Sequence, residues 1–156
     1  MDQRQTNCLI HSRITRLIMK VNSFDIDGVI YFGEGTTGVR PCKDDIIITG
    51  RPFTDRDETI KMLESRGIYN TLYMNPLKRY IPNPHSVPGG IMDNPLYSRK
   101  ASGIFKGHMI NMLESLGVEI QMHFEDDPVQ IRQIEKLCPN LSIVHLKRKN
   151  EERVKY

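Results

Sequence analysis

Short apolar runs alternate with amphipathic stretches from residue 21 onward. The apolar runs predict five strands, at 21–24, 46–48, 69–74, 118–124 and 141–146. Apolar spacing and capping signals predict helices at 54–66, at 106–116 and from 128 to just before Pro139. Strands that alternate with helices are typical of an α/β domain, so the pattern predicts a central parallel sheet within one domain at 21–146.

Capping residues set the predicted ends of these helices. We expect Thr54 to be the N-cap of the first helix, because acidic residues follow it in the first turn, and Gly67 to end that helix. Asp127 is expected to cap the last helix, because Pro128 suits the first helical position. Taken alone, Asp127 is as consistent with a cap as with a functional role.

The segment 75–105 differs from the rest of the chain. It contains five of the nine prolines and the pair Gly89-Gly90, without a clear helical pattern. Connections longer than about 15 residues without regular structure are uncommon within a domain and are often functional. The segment is therefore predicted to be a lid or a mobile loop, followed by a helix that opens at Lys106.

Composition and charge narrow the class of protein. The chain has 156 residues, of which 38% are hydrophobic and 26% charged, and no run approaches the roughly 20 apolar residues of a spanning helix. Because residues 1–20 also lack the apolar centre of a secretory signal, we expect a cytoplasmic protein. The three cysteines are expected to be free thiols, because they form no CxxC pair. Basic residues concentrate in an N-terminal extension at 1–20 and a tail at 147–156, which we interpret as solvated ends able to contact polyanions.

Polar residues follow the predicted strands at their carboxyl ends, where ligands bind in open parallel sheets. These residues are Asp25, Asp27, Thr49, Arg51, Asp126 and Asp127, and Lys106 is expected to open a helix on the same side of the sheet. Carboxylates that are brought together repel each other unless a cation relieves them. Mg²⁺ is the expected cation, and Lys106 with Thr49 suits the pocket to a phosphate group.

Four of these segments resemble the motifs of the haloacid dehalogenase-like (HAD) phosphohydrolases, in the same order. SFDIDGV at 23–29 resembles the DxDG(T/V) first motif, and IIITGR at 46–51 resembles the second. Lys106 is similar to the third-motif lysine, and HFEDD at 123–127 is similar to the fourth-motif acidic pair. The resemblance implies a three-layer Rossmann-like fold over about 21–146.

The resemblance also implies an enzyme, a phosphomonoester hydrolase that forms an aspartyl-phosphate. Asp25 would be the nucleophile, Asp27 the general acid and base, and Lys106 a third catalytic residue that neutralises charge. The substrate phosphate would be bound by Thr49, Gly50 and Arg51. The implied Mg²⁺ ligands are Asp126, the Asp25 carboxylate and the backbone carbonyl of Asp27, and Asp127 would support them.

The sequence departs from the family between the first two motifs, since 28–45 contains four glycines and Pro41 but no amphipathic helix. No cap domain fits there, and only 75–105 remains as a small lid. Uncapped members often act on large substrates, which favours a nucleotide or a nucleic-acid end with a 3′-phosphate. A phosphorylated small molecule is the other expected substrate class. A catalytically degenerate HAD-like binding protein is the alternative function.

Aromatic and basic residues near the predicted lid suggest a rim for a nucleotide or a nucleic-acid end. They are Tyr73, Tyr80, Tyr97, Lys78, Arg79, Arg99 and Lys100. Solvated surface residues are the competing interpretation.

Overall fold

Five parallel strands form the central sheet in the computed structural model, which describes residues 18–33 and 38–147. The elements are β1 (Met19–Phe24), β2 (Ile46–Pro52), α1 (Arg56–Glu64), β3 (Thr71–Asn75), β4 (Tyr80–Pro82), β5 (Ile91–Asp93), α2 (Arg99–Ser115), β6 (Val118–Glu125), α3 (Pro128–Leu137) and β7 (Ser142–His145). The sheet order is β3-β2-β1-β6-β7, and β4 and β5 form a separate antiparallel hairpin. All five predicted sheet strands are present, with ends shifted by a few residues.

Hydrophobic residues pack against both faces of the sheet. On the face covered by α2 and α3, the buried residues are Val21, Ile46, Ile48, Ile110, Leu113, Ile120, Ile134 and Cys138. On the face covered by α1 and the turn after β1, they are Phe24, Ile26, Val29, Ile30, Ile47, Leu63 and Ile68. Helical layers on both faces of a parallel sheet confirm the predicted three-layer, Rossmann-like α/β fold.

The register of β1 against β6 brings their carboxyl ends level. Ser23 pairs with His123 and Phe24 with Phe124, and the two phenylalanine rings stack with centroids 4.4 Å apart. Because side chains alternate between the faces of a strand, Asp25 lies beside Glu125 on the same face as Ser23 and His123. That face is the one covered by α2.

The prediction that α2 opens at Lys106 is wrong, because the helix begins at Arg99. Ser98 is its N-cap, and the Ser98 hydroxyl accepts a hydrogen bond from the Ala101 N–H at 3.0 Å. The first two turns of the helix show no apolar pattern in the sequence. The small residues Ser102 and Gly103 stand there because Gly50 and Gln130 approach the helix closely. Lys106 consequently lies in the helix interior, where its side chain is buried.

Two other local predictions also need correction. Thr54 does not cap α1, which follows a short 3-10 turn and has Asp55 at its N-cap without a side-chain capping bond. The segment 75–105 is not a loop throughout, because it contains the β4–β5 hairpin and the first seven residues of α2. α1 ends at Glu64, two residues before the predicted end, and Gly67 lies in the turn that follows with a φ of 68°.

The connection from β1 to β2 has no helix among its described residues, 25–33 and 38–45, as the glycine-rich sequence predicts. The predicted extension and tail lie largely outside the described residues, although β1 begins at Met19, within the extension's predicted range. Within 18–33 and 38–147, no helix is both long and apolar enough to cross a membrane.

Candidate active site

Asp25 lies directly after the central strand β1 and is the residue around which the candidate site is built. Its N–H donates to the Phe124 carbonyl oxygen at 3.0 Å, which continues the pairing with β6, and its side chain is almost fully buried. The Asp25 carboxylate accepts a bond from Lys106 Nζ at 2.9 Å. The fixed backbone and the buried lysine leave this carboxylate a single orientation.

Lys106, a residue of α2, bridges the two buried carboxylates of Asp25 and Glu125. Its Nζ lies 2.9 Å from Asp25 Oδ2 and 2.6 Å from Glu125 Oε2, and its side chain has no exposed surface. Burial alone would lower the pKa of Lys106, but the charges of Asp25 and Glu125 outweigh burial and raise the pKa. The lysine is therefore a permanent cation at the centre of the site.

The Glu125 carboxylate accepts hydrogen bonds at both of its oxygens. Its Oε1 accepts the N–H groups of Asp126 and Asp127 at 3.1 and 3.2 Å, while Oε2 accepts from Lys106. Burial alone would raise the pKa of Glu125, but Lys106 and neighbouring His123 outweigh it and hold the pKa well below its usual range. Glu125 therefore stays ionised.

His123 and Ser23 lie behind Glu125 in the same buried layer. His123 Nδ1 is 2.8 Å from the Ser23 hydroxyl, and its Nε2 is 3.5 Å from Glu125 Oε2. Burial lowers the pKa of His123, which keeps the imidazole neutral at pH 7. A neutral ring adds no second cation, so Lys106 remains the cation that faces Glu125.

Three carboxylates converge at this edge of the sheet in a way that suits a divalent cation. Oxygens of Asp25, Glu125 and Asp126 all lie within 4.8 Å of one another. Burial and the charge of Glu125 raise the pKa of Asp25 well above its usual range. A hard cation such as Mg²⁺ fits this all-oxygen donor set and would favour the ionised form of Asp25.

Gly28 makes room for the third carboxylate. A Cβ atom added at Gly28 would lie 2.0 Å from Asp126 Oδ2, and the φ of Gly28 is 81°. Only glycine combines this backbone conformation with so close an approach. The DxDG sequence thus allows the loop after β1 to contact the acidic end of β6.

Asp27 and Arg51 form a second, more exposed pair. Arg51 donates from Nε to Asp27 Oδ2 at 2.8 Å and from its terminal nitrogen to Oδ1 at 2.7 Å. Hydrogen bonding to Asp27 is the main cause that raises the pKa of Arg51. The half-exposed Asp27 carboxylate is thus held by Arg51 and lies outside the three-carboxylate cluster.

The turn after Thr49 lies against the start of α2. Thr49 is buried, and its hydroxyl accepts the Arg51 N–H at 3.2 Å. A Cβ atom at Gly50 would lie 2.8 Å from the Ser102 side chain, and the Gly50 carbonyl accepts from the Tyr97 hydroxyl at 2.9 Å. Of the residues predicted to bind phosphate, Gly50 is therefore the one that contacts both the start of α2 and Tyr97.

Asp127 faces a different set of partners. Its carboxylate caps α3 through the Val129 N–H at 2.8 Å, as predicted, and accepts two bonds from Arg99, one of them from Nε at 2.6 Å. Partial burial would raise the pKa of Asp127, but these bonds together lower it. Both oxygens are engaged by α2 and α3.

Of the predicted metal ligands, Asp25 and Asp126 have carboxylates in the observed cluster, whereas the predicted ligand atom of Asp27 is its backbone carbonyl and not its carboxylate. The structure adds Glu125, which the sequence analysis passed over, and directs Asp27 and Asp127 to arginines. The sequence carries a signal that could have identified Glu125. Polar and apolar residues alternate in both segments, so that Ser23 and Asp25 in the first correspond to His123 and Glu125 in the second. Polar residues at every second position of two buried strands mark a shared polar face.

Comparison with known proteins places the fold but not the activity. The structure is similar to a chain in the structure of the Pnkp1/Rnl/Hen1 RNA repair complex, with a TM-score of 0.54 and 15% sequence identity. The match covers 83% of this chain and 43% of that one. No protein-family model matches the sequence, and no curated protein matches it significantly.

Proposed function

We propose that this protein is an HAD-like phosphatase that hydrolyses phosphomonoesters with Mg²⁺ through an aspartyl-phosphate on Asp25. The observation that carries the proposal is the buried Asp25 carboxylate, bonded to Lys106 at 2.9 Å and grouped with Glu125 and Asp126. A nucleophilic carboxylate beside a fixed cation is suited to attack on phosphorus, because phosphoryl transfer depends mainly on positioning and charge stabilisation.

The reaction takes place in two displacements. An Asp25 oxygen forms a bond to phosphorus while the ester P–O bond breaks, and Asp27 gives its proton to the leaving oxygen. Water then attacks the aspartyl-phosphate, Asp27 accepts a proton from that water, and inorganic phosphate leaves with the Asp25 carboxylate restored. Lys106 stabilises the negative charge in both steps.

Arg51 has a role that is consistent with its present contacts. Its guanidinium fits a phosphate group in the same two-bond manner in which it now holds Asp27. Transfer of Arg51 to the substrate phosphate would release the Asp27 carboxylate to take up the proton that it donates. Thr49 and the backbone N–H of Gly50 would bind further phosphate oxygens.

Asp25, Glu125 and Asp126 would hold Mg²⁺ in this proposal. If all three are ionised beside Lys106, the cluster carries a net charge of about −2, which a divalent cation neutralises. Bound Mg²⁺ supplies charge neutralisation for the incoming phosphate. We assign no metal-binding role to Asp127, because its carboxylate lies outside the cluster of Asp25, Glu125 and Asp126 and is bonded to Arg99 and to the Val129 N–H.

A nucleotide or nucleic-acid 3′-phosphate is the substrate class that we favour. The structural neighbour belongs to an RNA repair complex, and the fold similarity makes a related substrate a reasonable first test. Between β3 and α2, the described chain carries only the short β4–β5 hairpin rather than a covering domain. A site without a covering domain leaves room for the end of a long polynucleotide.

Phosphate release tests the proposal directly. Wild type and Asp25→Asn are assayed with Mg²⁺ or chelator on p-nitrophenyl phosphate, nucleotides and oligonucleotides phosphorylated at the 3′ or 5′ end. We expect Mg²⁺-dependent release that Asp25→Asn abolishes, with 3′-phosphorylated ends preferred. A folded wild-type protein that binds Mg²⁺ but releases no phosphate from any substrate would favour the alternative, a degenerate binding protein.

A further inference from the structure

A basic and aromatic surface formed by Lys78, Arg79, Tyr80 and Tyr97 borders the Gly50 turn, and we propose that it binds the single-stranded polynucleotide whose terminal phosphate enters the active site. We call this surface the strand-binding rim. The inference rests on the proposed function and deepens it, because it identifies the residues that would select a strand over a free nucleotide.

A buried asparagine holds the two halves of the rim together. Asn94 Nδ2 donates to the Lys78 carbonyl oxygen at 2.7 Å, and the Asn94 N–H donates to the Arg79 carbonyl oxygen at 2.8 Å. The Asn94 carbonyl oxygen accepts the Tyr97 N–H at 3.0 Å. The rim is therefore a preformed surface, in which the chain before β4 and the chain after β5 hold fixed positions.

Tyr97 connects the rim to the candidate active site. Its hydroxyl donates to the Gly50 carbonyl oxygen at 2.9 Å, and the Arg79 guanidinium lies over its ring, 5.6 Å from the centroid. Gly50 separates Thr49 from Arg51, which are proposed to bind the terminal phosphate. A strand whose last phosphate reaches Gly50 would consequently pass the stacked Arg79–Tyr97 pair.

The chemistry of the rim fits a polynucleotide. Lys78 and Arg79 are exposed, and Tyr80 is 51% exposed, so cations and an aromatic face are available together. Bases stack on aromatic rings and guanidinium planes, and basic side chains neutralise the phosphates between them. Asp93, paired with Tyr80 across the hairpin, is the single acid among the residues of β4 and β5, and Asp55 is a second acid whose charge acts on Arg79. Lys78, Arg79 and the exposed Lys100 outnumber these two acids.

The rim is smaller than the sequence pattern predicts. Tyr73, in β3, packs against the hydrophobic core, and Arg99 is engaged by Asp127. Lys100 is exposed in the first turn of α2 and extends the positive charge beyond Tyr97. The spatial arrangement thus selects four of the seven predicted residues as one connected surface.

Fluorescence anisotropy with a labelled, 3′-phosphorylated single strand of about ten nucleotides tests the rim, since single-strand sites span about 4–16 nucleotides. All proteins carry Asp25→Asn to prevent turnover. We expect Tyr80→Ala and Arg79→Ala each to weaken binding about five- to tenfold, as loss of one stacked base predicts. Arg79→Ala should also reduce the slope of log K against log salt by about 0.7, the value for one phosphate of a single strand.

Arg132→Ala is the matched control, because Arg132 is an exposed arginine on α3 away from the rim. It should leave Kd and the salt slope unchanged. Equal Kd values for Arg79→Ala, Tyr80→Ala and Arg132→Ala would overturn the rim. Circular dichroism of each variant checks that the fold is retained.

Phosphatase assays without Asp25→Asn separate this inference from the proposed function. Tyr80→Ala should keep wild-type turnover of p-nitrophenyl phosphate, which is too small to reach the rim, and lose about five- to tenfold in kcat/KM on the oligonucleotide, as the lost base stacking predicts. Turnover of both substrates that is insensitive to Tyr80→Ala would overturn the rim and leave the proposed function standing. Rim-dependent strand binding by a wild-type protein that hydrolyses neither substrate would support the rim and overturn the proposed function.

Discussion

Replacing Lys106 by methionine should destabilise the protein strongly when no divalent cation is added. The side chains are similar in size, but the variant leaves the Asp25 and Glu125 carboxylates facing each other in a buried site without a cation. Removing one partner of a buried ion pair costs about 3–5 kcal/mol in the free energy of unfolding. For a chain of this size that loss lowers Tm by about 6–20 °C.

The loss should depend on pH in a defined direction. Without Lys106, repulsion between the two buried carboxylates raises their pKa values above those of the unfolded chain. The folded variant then binds more protons than the unfolded chain, so its stability falls as the pH rises. In the wild type, Lys106 keeps the pKa of Glu125 low, which opposes that fall. The stability difference between the two proteins should therefore grow from pH 5 to pH 7.

Urea unfolding followed by circular dichroism between pH 5 and 8, in the presence of chelator, measures this effect. Lys61→Met is the control, since Lys61 is an exposed lysine on α1 and its replacement should cost less than about 0.5 kcal/mol. The double variant Lys106→Met/Glu125→Gln should regain part of the lost stability, because only one buried carboxylate remains ionisable. A loss below about 1 kcal/mol, or one that does not change with pH, would refute the assignment of Lys106 as the buried counter-ion.

Three further predictions concern other parts of the site and the core. Gly28→Ala should lower Mg²⁺ affinity at least about tenfold in calorimetric titration, because the added Cβ would lie 2.0 Å from Asp126. Gly33→Ala is the control and should leave the affinity unchanged, since Gly33 also has a positive φ but an added Cβ would have no atom of the described residues within 4 Å. Asp127→Ala should lower the free energy of unfolding by about 1–2 kcal/mol, because α3 loses its cap, and should leave Mg²⁺ affinity intact. Asp126→Ala should abolish Mg²⁺ binding, and the reverse ranking of the two variants would return Asp127 to the set of metal ligands. Burial raises the pKa of Cys138 to about 11. In a variant whose other two cysteines are serine, the Cys138 thiol should therefore not react with a disulfide reagent at pH 8 until urea unfolds the chain. Rapid labelling of the native protein would contradict the burial of Cys138.

Several features of the candidate site follow from local sequence alone. Asp25 comes at the end of an apolar strand, and Gly28 directly follows Asp27, so their place at the carboxyl edge depends only on strand direction and turn chemistry. Asp127 before Pro128 is likewise a local capping signal, and the structure confirms the cap. The predicted order of strands and helices was sufficient to identify the fold class, because parallel sheets require helical crossovers.

The start of α2 could not be read from periodicity. Ser102 and Gly103 are small because Gly50 and Gln130 approach α2 closely, and these contacts come from distant parts of the chain. A helix segment selected for close approach carries no apolar stripe, so its sequence resembles a loop. The same reasoning explains why Lys106 was expected at a helix start and instead lies in the interior.

The sequence by itself determined the α/β architecture and the concentration of acids, a threonine and an arginine at one edge of the sheet. Only the tertiary structure decided which carboxylates share the buried site. The β1–β6 register puts Asp25 beside Glu125 on the face covered by Lys106, while the capping requirement of α3 turns Asp127 toward Arg99. Local sequence determines where a strand ends, but the direction of each side chain there depends on strand pairing and on the helix that packs across it.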